Sequence, residues 1–481
     1  MRILLVSSEL HPYSKTGGLA DMVGALAKSL ARAGHQVGVV TPLYLGLRER
    51  LPDLKLYQAL ELPLGAQRIH GEIWSLEPLP GLTVYFVDQP GFFHRTALYQ
   101  VHGIDFPDNA ERFIYFSKAA AHLAFHLDWK PELVHVHDWQ AALTVLLIHH
   151  QAKQMPTGSA PRTCITLHNL AYQGIFPSNR YVLTNLPWDY FTPEGVEFYG
   201  QMNSLKAGIM YADAITTVSP TYAREITTSE LGFGLEGLLR KRQNLLTGIL
   251  NGVDYEEWNT THNPHLRHPY DVEHLEGKRA NKLDLQKELG LPVDGTIPLF
   301  GSISRLVEQK GVDILLGAME EMLNAHLQFV LLGTGAPEFE RSFEGLARRF
   351  PGKAAVRIQF ENSLSHRIEA GCDFFLMPSQ FEPCGLNQMY SLAYGTIPIV
   401  RKTGGLDDAV IDVRENADLA NGIKFSEYSA SALSKAVQKA LALDAEGEAL
   451  KHFRRNAMQT DFSWERTMAE YVKLYEKALG G

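Results

Sequence analysis

Short apolar runs alternate with amphipathic segments along the whole chain. The first run, residues 3–6, reads Ile-Leu-Leu-Val, and apolar residues at helical spacing follow it after two glycines. Similar runs with the composition of buried strands lie at residues 37–40, 83–87, 133–136, 163–167, 214–218, 298–303, 328–332, 355–360, 374–378 and 397–400. Apolar strands that alternate with helices are typical of parallel sheets, so the pattern predicts an α/β protein.

The second half of the pattern begins after an irregular stretch. Residues 248–254 read as a strand and a turn, whereas residues 254–275 are polar, contain Pro and His, and lack periodicity. Such a stretch predicts a connector between domains. A chain of 481 residues is too long for one ordinary core, so we expect two or three domains and a last helix at residues 464–479.

Composition narrows the classes of function. Apolar residues make up 45% and charged residues 21%, as in globular proteins, and the net charge of -9 gives no general affinity for nucleic acid or an anionic membrane. Cys164, Cys372 and Cys384 show no paired spacing, so we expect neither a disulfide framework nor a zinc site. With a strand at the start and no targeting or membrane segment before it, the cytoplasm is the expected compartment.

One motif occurs twice. Residues 15–23, Lys-Thr-Gly-Gly-Leu-Ala-Asp-Met-Val, and residues 402–410, Lys-Thr-Gly-Gly-Leu-Asp-Asp-Ala-Val, agree at seven of nine positions. Each copy follows a strand-like run and enters a helix-like one, where backbone N–H groups and the helix dipole favour an anion. The pair predicts two facing α/β domains with a phosphorylated ligand between them. The alternative is a coincidence of turn chemistry.

Polar residues follow the predicted strands, and the carboxyl ends of parallel strands form the ligand crevice of such sheets. Arg305 and Lys310 would neutralise a diphosphate without metal, unless they are merely solvated on a surface loop. Glu382, in a stiff Pro- and Gly-containing turn, would stabilise an oxocarbenium ion or bind a sugar hydroxyl; the alternative is a helix-start acid. Cys384 lacks a partner base, which disfavours a nucleophile.

The acidic and histidine positions each allow two interpretations. Asp138 either caps the following helix or faces the crevice. His168 is either a packed strand-end residue or a catalyst, and His135 with His137 lacks a third ligand for a metal. Asp21, and Asp408 in the second copy, read as first-turn acids matched to the helix dipole. Aromatic clusters at residues 92–93, 188–191 and 255–258 either bind sugar rings or pack.

Nine segments together resemble the bacterial glycogen synthase and plant starch synthase family of retaining glucosyltransferases. In chain order they are residues 7–12, 15–23, 108–113, 136–139, 166–174, 302–311, 365–368, 380–390 and 402–410. The resemblance implies two Rossmann-like domains facing across a deep cleft, the glycosyltransferase B-type fold. It implies an acceptor-side domain at residues 1–247, a donor-side domain at 248–460, and a C-terminal helix within 461–481 that crosses back to the first domain.

The implied reaction moves glucose from ADP-glucose to the non-reducing 4-hydroxyl of an α-1,4-glucan, with retention and no metal or other cofactor. By match, the catalytic residues are Glu382, His168, Asp138, Arg305 and Lys310. By match, the residues that bind the donor are Lys15, Gly17, Gly18, Asp21, Asn169, Phe360, Cys384, Gly385, Leu386, Thr403 and Gly404. ADP-glucose and glycogen are the implied partners, without nucleic acid or membrane.

Two positions depart from the wider group of B-type enzymes. Tyr390 stands where many of them have a second Glu that holds the ribose, and Phe360 can stack on the base but has no hydroxyl. The donor base is therefore not determined by these residues, and UDP-glucose stays an alternative. So do a different acceptor on the same architecture and a glucan- or nucleotide-binding protein without activity.

Overall fold

A computed structural model describes residues 1–101 and 103–480 of the chain. The chain forms two compact units. The first contains Met1–Val218, Ala223–Ile249 and the segment from Trp464 onward, and the second contains Ser219–Tyr222 and Leu250–Ser463. The predicted domain boundaries lie after residues 247 and 460, and the units change after Ile249 and Ser463.

The first unit is built on a large mixed sheet. Its strands are β1 Arg2–Val6, β2 Gln36–Pro42, β3 Lys55–Leu64, β4 Gln67–Leu79, β5 Leu82–Asp88, β6 Gln100–Val101, β7 Ile104–Asp105, β8 Leu133–His137, β9 Arg162–Leu167, β10 Ile175–Pro177, β11 Glu197–Phe198, β12 Gln201–Asn203, β13 Ala214–Thr217 and β14 Leu246–Gly248. Nine of them form one sheet in the order β14-β13-β9-β8-β1-β2-β5-β4-β3. The first seven strands in this order, β14 to β5, run parallel to one another. Strand β4 pairs antiparallel with both β5 and β3.

The helices of the first unit cover the parallel strands. They are α1 Gly18–Arg32, α2 Leu47–Arg50, α3 Pro90–Phe93, α4 Asn109–His126, α5 Asp138–Ala152, α6 Ser204–Tyr211, α7 Pro220–Glu225 (whose first turn belongs to the second unit), α8 Glu236–Lys241 and, from the C-terminus, α17 Trp464–Leu479. The apolar residues of β1, from Ile3 to Val6, are all fully buried, as expected for a strand covered on both faces. Tyr475 of α17 lies 2.7 Å from His135 Nδ1 of β8, so the last helix packs on this unit.

The antiparallel hairpin β3–β4 was not predicted. It joins at Gly65, whose φ of +61° suits glycine. Only the second half of β3 alternates between exposed and buried residues. The other strands were predicted from continuous apolar runs. Much of β4 is half-buried and lacks such a run, so this criterion did not detect it.

The second unit has a six-stranded, wholly parallel sheet. Its strands are β15 Leu299–Ile303, β16 Gln328–Leu332, β17 Ala354–Arg357, β18 Phe374–Met377, β19 Ile397–Arg401 and β20 Ile423–Phe425, in the order β17-β16-β15-β18-β19-β20. Its helices are α9 Glu276–Leu289, α10 Val312–Asn324, α11 Pro337–Arg349, α12 Asn362–Gly371, α13 Asn387–Ala393, α14 Gly404–Ala409, α15 Ala430–Ala445 and α16 Gly447–Gln459. This is the 3-2-1-4-5-6 order of a dinucleotide-binding Rossmann sheet.

The same order recurs among the parallel strands of the first unit, as β5-β2-β1-β8-β9-β13. Each unit is therefore Rossmann-like. Within the part of the chain that the structure describes, we find no helix that combines the length and the apolar character needed to cross a membrane.

Candidate active site

Each sheet has a point where its strand order reverses, and ligands of such sheets bind beyond the carboxyl ends of the strands on either side of it. In the first unit this point lies between β1 and β8, and in the second between β15 and β18. Lys15 and Asp138 follow the first pair of strands. Arg305 and Glu382 follow the second pair. The fold thus brings these four predicted residues to the switch points of the two sheets.

The turn after β1 is open and is held by a buried carboxylate. Lys15 forms an ion pair with Asp21 at 2.8 Å, and Asp21 lies in the first turn of α1, as predicted. Glu9 is 3% exposed and accepts hydrogen bonds from the backbone N–H of Thr16 at 2.5 Å and from its hydroxyl at 2.6 Å. A Cβ on Gly17 would meet nothing within 4 Å, so a ligand has room to approach this backbone. Gly18 is the first residue of α1.

Asp138 does not cap its own helix. His137 is the N-cap of α5, without a side-chain hydrogen bond, and Asp138 has a φ of +56°. Its carboxylate instead accepts the backbone N–H of His168 at 2.7 Å and that of Asn169. Burial raises the pKa of Asp138 to about 7, helped by the nearby Glu9. A non-glycine residue in this backbone region is strained, and such residues cluster at functional sites.

The histidines of β8 and β9 form a connected group. His168 Nε2 lies 3.1 Å from Nδ1 of His137, and burial lowers the pKa of His168 to about 3, so both rings are neutral at pH 7. His135 uses both ring nitrogens, toward Tyr475 and Thr166, which fits a packing role. Asn169 accepts the N–H of Ala171 through its side chain.

The second unit pairs two predicted residues directly. Lys310 donates to Glu382 at 2.6 Å, and the hydroxyl of Ser379 also reaches the same carboxylate, at 3.1 Å. Glu382 is 5% exposed, so a buried carboxylate is matched to one cation. Because α13 begins only at Asn387, Glu382 is not a helix-start acid.

The loop of Arg305 and Lys310 is fixed by a glycine. A Cβ on Gly311, which has a φ of +69°, would lie 1.9 Å from the carbonyl oxygen of Pro378, the residue after β18. Asn387 donates to the carbonyl of Ile303, the last residue of β15. The loops after β15 and β18 are therefore held together on both sides, while Arg305 itself is exposed.

The second Lys-Thr-Gly-Gly-Leu turn packs against the Glu382 turn. A Cβ on Gly404, which has a φ of +45°, would lie 1.9 Å from the carbonyl oxygen of Glu382, and one on Gly405 would lie 2.0 Å from that of Cys384. The N–H of Gly405 donates to the carbonyls of Glu382 and Pro383. This amide is therefore occupied by protein, whereas the donor-binding roles of Thr403 and Gly404 stay predictions. Thr403 is 1% exposed beside it.

The remaining predicted positions surround this packed turn. Burial raises the pKa of Cys384 to about 12, so the thiol stays protonated and is not a nucleophile at neutral pH. Gly385 has a φ of +71°, and Leu386 precedes α13. Phe360 is 88% exposed beyond the end of β17, which stops at Arg357 rather than at the predicted residue 360.

Asp408 is not a first-turn acid for α14. Asp407 holds that place, where it pairs with Lys424 at 2.8 Å. Asp408 instead accepts the N–H and hydroxyl of Thr221, at 2.7 and 2.8 Å, near the start of α7. It therefore caps another helix, a role that only the tertiary fold creates.

Three residues of the candidate site were not predicted. Glu9 lies in the matched segment 7–12, so that segment was a usable signal for it. His137 lies in the matched segment 136–139, directly before Asp138, but it was not named as a site residue. Ser379 gave no signal, because a lone serine after a strand is common in loops.

Two family descriptions match most of the chain. "Starch synthase catalytic domain" matches residues 2–241, and "Glycosyl transferases group 1" matches residues 287–460. Glycogen synthase of Syntrophotalea carbinolica is 44% identical over 100% of this chain and 99% of its own length. Glycogen synthase of Anaeromyxobacter sp. strain Fw109-5 is 47% identical over 99% of each chain.

Solved structures share the fold over the full length. The catalytic domain of starch synthase IV from Arabidopsis thaliana, bound to ADP and acarbose, matches with a TM-score of 0.90 and 34% identity, over 100% of this chain and 99% of that one. Sucrose-phosphate synthase from Thermosynechococcus elongatus matches with a TM-score of 0.62 and 20% identity, over 99% of this chain and 98% of that one, which shows a shared fold alone.

Proposed function

Because the chain belongs to the glycogen and starch synthase family of glycosyltransferases, with a fold of the B type, we propose that it transfers glucose from ADP-glucose to the non-reducing 4-hydroxyl of an α-1,4-glucan, with retention. The cytoplasm stays the predicted compartment. Glycogen is the proposed acceptor, and no cofactor is required.

The observation that carries this proposal is the pair of half-buried Lys310 and buried Glu382, 2.6 Å apart at the switch point of the second sheet. In a water-poor site a fixed cation stabilises the negative charge of a departing diphosphate strongly. Arg305, on the same loop, adds a planar fork for two phosphate oxygens. Glu382 is then next to the donor glucose, where a carboxylate favours positive charge on the anomeric carbon.

The first unit contributes its own residues to the proposed mechanism. Lys15 and the open backbone of Gly17 and Gly18 approach the donor phosphates, while Asp138 holds the backbone of His168 and Asn169 toward the sugar. Neutral His168 acts as a hydrogen-bonding group rather than as a charged acid, because burial lowers its pKa to about 3.

Retention is proposed to arise by attack on the same face that the diphosphate leaves. The bond between the anomeric carbon and the phosphate oxygen breaks, and the bond to the acceptor 4-oxygen forms on that face. The acceptor proton passes to the leaving phosphate oxygen, so ADP is the second product. Trapping of a covalent glucosyl–Glu382 species would refute this route in favour of double displacement.

The test is turnover of Arg305→Ala with labelled ADP-glucose and glycogen. Removing one preorganised charge from the leaving group is expected to lower kcat by roughly 10²–10³. Arg341→Ala, an exposed arginine of α11 in the same unit, is the matched control and should keep wild-type turnover. Turnover of Arg305→Ala within a few-fold of wild type would show that this clamp is assigned wrongly.

A donor competition assay separates the remaining alternatives. ADP-glucose is expected to outcompete UDP-glucose on a glycogen primer, in line with the ADP bound to the starch synthase structure. Product formation without a glucan would indicate a different acceptor. No turnover with either donor would indicate a binding protein.

A further inference from the structure

Three aromatic rings of the second unit form a stack that the proposed chemistry does not use. Trp258, in the connector of residues 254–275, lies flat on Tyr390, with ring centroids 3.7 Å apart and planes 3° apart. Trp258 also stacks on His366, at 4.0 Å and 19°. Trp258 is 9% exposed, His366 is fully buried and Tyr390 is half-buried, so most of the stack is shielded from solvent.

The connector is tied to the same place by hydrogen bonds. Asn263 donates through its side-chain amide to His366 Nδ1 at 3.0 Å and to the hydroxyl of Tyr394 at 2.8 Å. Tyr270, farther along the connector, donates to the carbonyl of Tyr394 at 2.9 Å. A segment that the sequence presents as a linker is therefore docked on two helices at several points.

Those two helices each follow a predicted donor-binding loop. His366 lies on α12, which begins two residues after Phe360. Tyr390 and Tyr394 lie at α13, which begins directly after the turn of residues 382–386. Trp258 is thus stacked on one residue from each helix.

We propose that Trp258 is a positioning residue for the sugar nucleotide: its ring sets the distance between Phe360 and the turn of residues 382–386. This inference rests on the proposed function and on the donor-binding residues that the resemblance implies. These place the base at Phe360 and the glucosyl diphosphate at the turn, where Glu382 pairs with Lys310 of the proposed diphosphate clamp. A donor that contacts both loops gains affinity from their fixed separation, because its binding does not have to move the loops to the right distance. A ligand that touches one loop gains nothing from it.

The test compares ligands of different reach in Trp258→Leu. ADP, adenosine and inorganic pyrophosphate are each measured as inhibitors of transfer from ADP-glucose to glycogen. We expect ADP to bind about tenfold more weakly, the size of one aromatic stacking contact, with adenosine and pyrophosphate within about twofold of wild type. The KM for ADP-glucose should rise with the ADP constant while the KM for glycogen stays unchanged, and Trp258→Phe should restore most of the loss.

Two further variants separate positioning from general loosening. Tyr390→Leu removes the partner ring of Trp258 at a half-buried position and should weaken the same ligands. It therefore tests the inference even if Trp258→Leu folds poorly. Phe343→Leu destabilises the buried face of α11 in the same unit and should leave all three inhibitors unchanged. Equal weakening of ADP, adenosine and pyrophosphate, or unchanged ADP binding in both stack variants, would overturn the inference. Absence of transfer by the wild-type protein would instead overturn the proposed function.

Discussion

The two Lys-Thr-Gly-Gly-Leu turns share their sequence but not their place in the fold. The first follows β1, the central strand at a switch point, whereas the second follows β19, one strand farther out in its sheet. In the second unit the topological equivalent of the first turn is the loop of Arg305 and Lys310. The two copies of the motif therefore do not occupy equivalent positions in their sheets.

The two turns are also stabilised by different groups. The first is exposed and is held by the carboxylate of Glu9, which binds Thr16. The second is buried, and its glycines pack against the carbonyls of Glu382 and Cys384. The equivalent glycines thus leave space for a ligand in the first turn and for the protein's own backbone in the second. A motif that predicts a turn does not determine what fills the space beside it.

The largest expected difference is between the two lysines. Lys15→Ala should lower kcat by about 10²-fold, because Lys15 is proposed to meet the donor phosphates at a switch point. Lys402→Ala should stay within about threefold of wild type, because Lys402 is half exposed and lies 3.4 Å from Glu415, a surface pair of small energy. Steady-state turnover with ADP-glucose and glycogen measures both. Equal losses would mean that the two turns have equivalent roles.

The glycines of the two turns should differ in their effect on stability, and here the larger effect is expected in the second turn. Gly404→Ala places a Cβ 1.9 Å from a carbonyl oxygen at a φ of +45° and should destabilise the second unit by about 2–4 kcal/mol. Gly17→Ala meets nothing within 4 Å and has a φ of −165°, which any residue adopts. Thermal unfolding should therefore show a lowered Tm for Gly404→Ala alone. An equal fall in Tm for Gly17→Ala would contradict the open space beside Gly17.

A smaller effect is expected from a substitution of Glu9, whose carboxylate holds the first turn. Glu9→Gln keeps the shape of the side chain but removes the charge that strengthens its hydrogen bonds to Thr16, at a cost of roughly 1 kcal/mol. The KM for ADP-glucose should rise about fivefold, which is that free energy expressed as an affinity ratio. The Tm should fall by no more than a few degrees, because roughly 1 kcal/mol is small against the unfolding of a unit of this size. An unchanged KM would show that the turn keeps its shape without Glu9.

The last prediction concerns how the stability of the first unit depends on pH. Asp138 has a pKa of about 7 in the fold against an ordinary value of 3.8, so the folded state holds a proton that the unfolded state releases. Stability should fall as pH rises from about 4 to about 7 and then level off. Asp138→Asn lacks this proton, so its Tm relative to wild type should increase over that range. A constant difference would mean that Asp138 is ionised throughout.

Much of the candidate site could be predicted because its residues follow strands whose apolar runs are unmistakable. Arg305, Glu382, Asp138 and His168 were found in this way, and the same reasoning implied that they face a crevice. Asp408 was misassigned because its partner, Thr221, is 187 residues away along the chain. Trp258 was predicted either to pack or to bind a sugar ring, but nothing local shows that its ring stacks on residues from two helices.

The sequence by itself determined the α/β architecture, the two units and the strand ends at which the chemistry is expected, since periodicity and strand-end position are local properties. Only the tertiary structure decided which of two identical turns stays open, which acid caps which helix, and where the connector packs. Those outcomes depend on atoms brought within a few ångströms by the order of strands in a sheet, and that order is a property of the whole chain.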